Sequence, residues 1–189
     1  MTACGVCETR FYKQDISDIT WVWDTGHETQ PGPDYCLPPR GMGMIVKRGT
    51  KFANVHVSEI LMAIRIETEG ESLPVYVIET HFCHSSEILE HKKMWDKIQN
   101  LVDRFKKTGH VVLMGDFNAR AGANGDDRKD RAGKLMMRRT KAMRLTSVNH
   151  MSITEGKYSR VVEHSNGTQT ETTIDYMFVQ SPYLEGLRK

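Results

Sequence analysis

The sequence predicts an α/β domain whose sheets are covered by helices. Six or seven stretches have the character of strands and two that of helices, within 189 residues. A strand ending near Phe82, a helix over about 86–108 and the strand HVVLMG follow one another at the spacing of a βαβ unit. The length and the hydrophobic content of 39% fit one domain, residues 1–189, with a sizeable core.

The first part of the chain alternates strands with loops. The segment ACGVCETRFY predicts a short strand that runs into a turn, and GMGMIVKRG predicts a second strand. Residues 24–43 hold four of the six prolines and four glycines, which is typical of a loop. Residues 56–82 predict two strands folded over the polar turn 69–72.

The clearest helix covers about residues 86–108. Its apolar residues recur at steps of three and four, so they share one face. Ser85 or Ser86 is expected to cap the start, and Gly109 to take the left-handed position just past the end. The expected apolar face comprises Ile88, Met94, Trp95, Ile98, Leu101, Val102 and Phe105.

A polar, glycine-rich loop over 117–133 leads from the strand HVVLMG to a second, basic helix over about 131–145. Two further strands, YSRVVEH and TTIDYMFVQ, are separated by SNGTQTE. No internal repeat is present, so the predicted elements form one continuous α/β arrangement.

The net charge of +2 points to no particular partner, but the charge is unevenly distributed. Residues 126–144 hold eight Lys or Arg against three Asp. A solvated helix face is the commoner meaning of such a run. The alternative is a patch that binds phosphates.

The four cysteines leave a second reading open. Cys4 and Cys7 have the spacing of a redox or zinc motif, and a mixed site with Cys83 and His84 would complete it. A zinc ribbon needs a second cysteine pair, which the sequence lacks, so burial as small hydrophobic side chains is preferred. No signal peptide or membrane-length apolar run is visible, which predicts an intracellular protein.

Polar residues end or interrupt several apolar strands. Asp116 and Asn118 follow VVLMG, where α/β proteins place their sites, although an Asx turn alone would explain them. Glu8 and His81 also follow apolar strands, and Asp175 lies within one. A buried carboxylate is costly unless it is paired. Each residue alone has a structural explanation, but the recurrence favours a shared site.

In these motifs the sequence resembles the endonuclease/exonuclease/phosphatase superfamily, which includes deoxyribonuclease I, and looks most like the endonuclease domains of non-LTR retrotransposons. The matching pieces, in family order, are CETR, THF, MGDFNA and TIDYMFV. The resemblance covers nearly the whole chain, and MGDFNA is its most specific piece. It implies a two-sheet α/β sandwich of the deoxyribonuclease I-like type.

The resemblance also implies the chemistry, which is phosphodiester hydrolysis assisted by Mg²⁺, with Mn²⁺ as a substitute. Glu8 and Asp116 would hold the metal, and Asp116 would also orient or deprotonate the attacking water. Asn118 would position the phosphate, and His81 would stabilise or protonate the leaving group. Asp175 would orient a second histidine.

The resemblance and the local charge together predict a DNA substrate. Phosphate contacts dominate binding to nucleic acids, which favours Arg128, Lys134, Arg138 and Arg139 as binding residues. Phosphoinositide and sphingomyelin phosphodiesterases share the fold and remain alternatives. The retrotransposon likeness implies an origin in, or fusion to, a reverse transcriptase polyprotein, and it admits a nuclear location.

Two family motifs have no counterpart in the chain. The family carries an Asn on a strand upstream of CETR and a closing Ser-Asp-His on a last strand. Their absence predicts a partial domain without the first and last strands, or a decayed copy. On this expectation the chain hydrolyses phosphodiesters poorly, and the alternative function is that of a non-catalytic binding module.

Overall fold

The fold is taken from a computed structural model. It describes residues 3–7, 19–24, 42–47, 49–58, 60–68, 72–122, 128–151 and 159–180. Strands β1 (Ala3–Cys7), β2 (Ile19–Asp24) and β3 (Met42–Lys47) form an antiparallel sheet in the order β1-β3-β2. The predicted strands ACGVC and GMGMIVK are therefore confirmed. The loop predicted over 24–43 lies mostly outside the described residues.

The second sheet has six strands in the order β4-β5-β6-β7-β11-β8. Their bounds are β4 Phe52–Ser58, β5 Leu61–Ile66, β6 Val75–His81, β7 His110–Asp116, β8 Leu145–Ser147 and β11 Asp175–Gln180. Strands β6 and β7 are parallel, as a βαβ unit requires, and the other neighbours are antiparallel. The α/β class with two sheets is confirmed.

Two hydrophobic cores lie on opposite faces of this six-stranded sheet. One face packs against helices α1 (Ile88–Phe105) and α2 (Arg131–Ala142), with Trp95 and Phe117 at its centre. The other face packs against the three-stranded sheet through Met44 and Val46 of β3. Because side chains alternate along a strand, strands β4 to β7 contribute to both cores, whereas β8 and β11 contribute to the core beneath the helices. The apolar face predicted for α1 is confirmed, with Ile88 half-buried at its edge.

Some predicted strands were wrong in number or extent. The segment 56–82 contains the end of β4 as well as β5 and β6, so it holds parts of three strands rather than two. The described residues also include β2 and β8, which the sequence patterns did not indicate. Strand β8 is three residues long, and its hydrogen bonds come from β11, which is distant in sequence.

The segment SNGTQTE was predicted as a connection, but most of it belongs to a hairpin. Strands β9 (Arg160–Glu163) and β10 (Gln169–Thr172) pair across a turn at Asn166-Gly167. Gly167 has φ +76°, a conformation that suits glycine. The Gly167 N–H donates to the His164 carbonyl at 2.9 Å, so a turn is followed by a left-handed glycine, which is a common type of hairpin loop.

The ends of α1 and α2 differ from their predictions. Helix α1 begins after Glu87 without a side-chain cap, so neither Ser85 nor Ser86 caps it. Gly109 does not take a left-handed φ; a Cβ there would lie 2.4 Å from the carbonyl oxygen of Pro74. Close backbone packing therefore explains this glycine. Helix α2 ends at Ala142 rather than 145, because Leu145 opens β8.

Candidate active site

Three neighbouring strands bring His81, Asp116 and Asp175 to one edge of the six-stranded sheet. In the strand register His81 pairs with Asp116 across β6 and β7, and Asp175 pairs with Asp116 across β11 and β7. Paired residues point to the same face and lie on strands about 4.8 Å apart. The three side chains therefore form a row, with Asp116 in the middle. The His81 Nε2 and Asp116 Oδ2 atoms are 3.9 Å apart.

The strands are held in this register by hydrogen bonds beyond their ends. The Phe82 N–H donates to the Asp116 carbonyl at 2.8 Å, and the Phe117 N–H donates to the Ile174 carbonyl at 2.9 Å. Phe117 is fully buried and contacts the rings of Phe82 and Trp95. The turn that carries Asp116 is thus anchored to the core by its middle residue.

Gly115 allows β6 and β7 to approach each other directly below the row. Its φ is +141°, and a Cβ at this position would lie 1.9 Å from the Thr80 carbonyl oxygen. Only glycine satisfies both conditions. The glycine of the MGDFNA motif is therefore required by the backbone that positions Asp116.

Asn118 closes the turn in a left-handed conformation, with φ +44°. Asn tolerates this region better than most residues. Its backbone N–H donates to Asp116 Oδ1 at 2.7 Å, and its side-chain amide donates to the Phe82 carbonyl at 2.8 Å. The Asx turn considered from the sequence is present. It orients Asp116 so that its other oxygen, Oδ2, faces His81.

Asp175 lies at the start of β11, before the residues that pair with β8. There the side chain of Asn149 takes the place of a strand partner. Asn149 donates to the Asp175 carbonyl at 3.0 Å and accepts from the Met177 N–H at 2.8 Å. Burial raises the pKa of the Asp175 carboxyl, while a hydrogen bond from Ser159 and the nearby His81 oppose this shift. Neither Asn149 nor Ser159 belongs to one of the four family motifs, so the sequence did not indicate them as partners of Asp175.

A further acidic residue, Glu79, lies on the same face one step deeper in the sheet. It precedes His81 by two positions, so both side chains point to the same side. Its strand neighbours are Met62 and Met114, and its Oε2 atom is buried without a hydrogen-bond partner. Burial raises the pKa of Glu79 well above 4.5, and the charges of Asp175 and Asp116 raise it further. The test applied to Asp175, a carboxylate within an apolar strand, would also have found Glu79.

Replacing Glu79 with Gln is expected to stabilise the fold at neutral pH. The folded state disfavours the charged carboxylate, so stability is lost as pH rises above the unfolded pKa and through the raised folded pKa. The amide has no such charge. The advantage of the variant should therefore grow by up to about 1.4 kcal/mol per pH unit in that window.

Urea unfolding at a series of pH values measures this difference. Glu171→Gln, at an exposed position of β10, is the matched control and should show little change. A gain for Glu79→Gln that is the same at pH 4 and pH 8 would contradict the proposed burial of the carboxyl.

A cleft of about 500 Å³ lies beside the start of α1, at the His81 end of the row. His81 and Asn118 line one side of the cleft, and Lys93 and Lys97 of α1 line another. The amide of Asn118 and the ring of His81 are thus accessible from a space large enough for part of a substrate.

A divalent metal would fit the charges of this edge. The charges of Asp116 and Asp175 act on Glu79 electrostatically, and a cation would relieve this repulsion. Carboxylate oxygens suit Mg²⁺. The part of the chain that the structure describes contains no ready-made group of three metal-binding side chains. Glu8, the other predicted ligand, lies outside the described residues.

The four predicted DNA-binding residues fall into two groups. Arg128 donates to the Glu171 carbonyl at 3.0 Å, and Arg139 forms an ion pair with Asp96 of α1 at 2.8 Å. Lys134 and Arg138 are exposed on α2 and line a groove between the helices. The structure therefore separates the positive charges that link elements from those that face outward.

Among the described residues, the contacts of Cys83 and His84 with Glu87 and Ser86 do not support a zinc or thiol site. Cys83 is half-buried and its Sγ lies 3.9 Å from the Glu87 carbonyl oxygen. His84 Nδ1 lies 3.0 Å from the Ser86 hydroxyl. Cys4 and Cys7 lie in β1, but the positions of their side chains are outside the described part of the structure.

Comparison with protein families decides where the chain belongs. Residues 75–186, more than half of the sequence, match the family described as "Endonuclease-reverse transcriptase". The chain belongs to this family. The matched range contains the row of His81, Asp116 and Asp175 together with Asn118. No curated protein matches the chain significantly.

Several solved structures have a fold similar to that of this chain over most of its length. The endonuclease domain of TRAS1, a telomere-specific non-LTR retrotransposon, has a TM-score of 0.66 at 13% identity, with 88% of this chain and 69% of that one covered. The AP endonuclease LMAP from Leishmania major has a TM-score of 0.67 at 11% identity, with 95% and 70% covered. The 3' phosphatase NExo from Neisseria has a TM-score of 0.59 at 14% identity, with 96% and 77% covered. The predicted deoxyribonuclease I-like fold and its family resemblance are confirmed.

Among the described helices, none is both long and apolar enough to cross a membrane.

Proposed function

We propose that this chain is a metal-dependent phosphodiester hydrolase that cuts DNA, of the kind that retrotransposons encode. The observation that carries the proposal is the row of His81, Asp116 and Asp175 in strand register on one face, with Asn118 fixed at its end. The match to the endonuclease-reverse transcriptase family supports DNA as substrate and an origin beside a reverse transcriptase.

Asp116 would orient and deprotonate the attacking water. Its Oδ1 atom already accepts the Asn118 N–H, so the carboxylate cannot rotate freely. Its Oδ2 atom, 3.9 Å from His81 Nε2, would orient a water and accept its proton, which is general-base catalysis.

Asn118 would position the phosphate by donating a hydrogen bond to it. One amide hydrogen is used by the Phe82 carbonyl, at 2.8 Å, and the amide carries a second. That second hydrogen lies at the cleft and would donate to a nonbridging phosphate oxygen as negative charge develops there. A donor fixed in advance needs no reorganisation during the reaction.

His81 would act on the leaving group as a proton donor. Asp116 is 3.9 Å away, and Asp175 also interacts electrostatically with His81. The ring would donate a proton to the departing oxygen.

Mg²⁺, held by Asp116 and Glu8, would neutralise charge on the phosphate when bound. The described residues are consistent with this role, since the carboxyl groups at the sheet edge repel one another without a cation. Mn²⁺ is expected to substitute, because it shares the preference for oxygen ligands.

The test is nicking of supercoiled plasmid DNA by the purified chain. We expect open circles with Mg²⁺ or Mn²⁺ and none with EDTA, since the reaction needs the cation. A sphingomyelin and a phosphoinositide substrate, supplied in parallel, separate DNA cleavage from the other activities found on this fold. DNA binding without any metal-dependent hydrolysis would contradict the proposal and favour a non-catalytic binding module.

A further inference from the structure

The groove between α1 and α2 carries an excess of positive charge that the proposed catalytic residues do not use. It encloses about 210 Å³ and is lined by Ile88, Lys92, Arg131, Lys134, Leu135 and Arg138. Four of these six side chains are cationic and none is acidic. The other two, Ile88 and Leu135, pack against the core and form an apolar floor.

The cations line the groove because of helix geometry. Arg131, Lys134 and Arg138 recur at steps of three and four along α2, so they share one side of the helix. The adjacent side, which includes Leu135 and Met136, is buried. Lys92 faces them from α1. Lys92 is distant in sequence from the three cations of α2, so only the tertiary structure brings it to the same groove.

These four charges are not neutralised within the described residues. No hydrogen bond or ion pair involves their side chains, and all four are exposed. Arg139, their neighbour on α2, instead pairs with Asp96 of α1 and so ties the two helices together across the groove. Repulsion between like charges costs free energy in the unbound protein. A surface of this kind is therefore suited to an anionic ligand.

The groove lies on the same structural unit as the candidate active site. Helix α1 is the next element after β6, which ends at His81, and α2 is joined by hydrogen bonds to the loop that follows Asn118. The Asp130 N–H donates to the Arg120 carbonyl at 3.1 Å, and a Cβ on Gly133 would lie 1.8 Å from that same carbonyl oxygen. Both helices thus begin at the edge of the sheet where the catalytic row lies.

We infer that this groove binds the phosphodiester backbone of a nucleic-acid strand on one side of the phosphate that is cut. The inference rests on the proposed function for its substrate class. Arg131 to Arg138 spans about 10 Å at 1.5 Å per residue. A DNA strand presents one phosphate per about 3.4 Å of helix axis, so the groove accommodates about three phosphates. Contacts of its cations with phosphate oxygens would contribute affinity rather than sequence preference.

The first test measures binding of a fluorescein-labelled DNA duplex by anisotropy in EDTA, so that no cleavage occurs. The groove variant is Lys134→Glu with Arg138→Glu. We expect its Kd to rise about tenfold or more at low salt, and the slope of log Kd against log salt to fall by about two. Lys92→Glu, on the opposite helix, should act in the same direction with about half the loss of slope.

The matched control is Lys141→Glu with Arg144→Glu, which changes net charge equally at exposed positions outside the groove. It should retain most of the wild-type affinity, and thermal unfolding should show all variants folded. An unchanged Kd and salt slope in the groove variants would overturn the inference. Equal weakening by the control would also overturn it, since net charge alone would then explain the loss.

A second measurement separates failure of the groove from failure of the proposed function. Hydrolysis of bis(p-nitrophenyl) phosphate with Mn²⁺ requires the catalytic row but no long DNA strand. The groove variants should hydrolyse this diester at the wild-type rate. If the wild type hydrolyses neither this diester nor DNA, the proposed function fails, whereas the groove is judged on the binding data alone.

Discussion

Asp116→Asn is expected to lower the rate of Mg²⁺-dependent DNA nicking by about a hundred- to ten-thousand-fold. The amide has the same shape as the carboxylate, and its oxygen still accepts the Asn118 N–H that Oδ1 accepts at 2.7 Å. The turn is therefore retained. The negative charge that would accept a proton from water and hold the cation is lost, and removal of a general base typically costs this range.

The rate is measured as the appearance of open-circular plasmid over time. Asp103→Asn is the control, because it makes the same chemical change at an exposed carboxylate of α1 whose ion pair with Lys106 contributes little. It should nick at the wild-type rate. Unfolding curves show whether Asp116→Asn remains folded. A folded Asp116→Asn variant that nicks normally would exclude Asp116 from catalysis.

Gly115→Ala is expected to destabilise the fold by about 3–5 kcal/mol, which is at the upper end for single substitutions. Two costs combine. A non-glycine residue at φ +141° is strained. The added Cβ would also lie 1.9 Å from the Thr80 carbonyl oxygen, so the backbones of β6 and β7 must separate. Separation at this level would break the register of His81 with Asp116, so nicking should be lost as well.

Gly167→Ala provides the matched control for Gly115→Ala. Gly167 also has a positive φ, +76°, but its Cβ would meet nothing within 4 Å. It should cost only about 1–2 kcal/mol, the strain of the left-handed conformation. Urea unfolding gives both values. Equal losses in the two variants would show that the contact with Thr80 has no energetic effect.

The sequence carried the location of the site because its residues follow a simple rule. A strand of buried apolar residues is interrupted by a polar residue only where that residue is paired or exposed. His81, Asp116 and Asp175 obey this rule, and the structure places them side by side. Glu79 also interrupts an apolar strand, so the same pattern indicates it, but its Oε2 atom is buried without a hydrogen-bond partner.

Local patterns of apolar residues also predicted the buried face of α1 and the two long central strands. The apolar steps of α1 match its buried residues, and the runs that became β6 and β7 are nearly continuous in apolar residues. The short strand β8 was not readable, because its hydrogen bonds come from β11. Likewise, the role of Gly109 depends on the approach of Pro74 from another element.

By itself, the sequence determined the α/β class, the family and most of the residues at the edge of the sheet, because each is encoded in a local pattern of apolar and polar residues. The tertiary structure alone decided that Asp116 lies between His81 and Asp175, since register depends on hydrogen bonds between distant strands. It also decided which basic residues share a surface. Arg139 is paired with Asp96, while Lys92 joins Lys134 and Arg138, because the packing of α1 against α2 sets which charges meet.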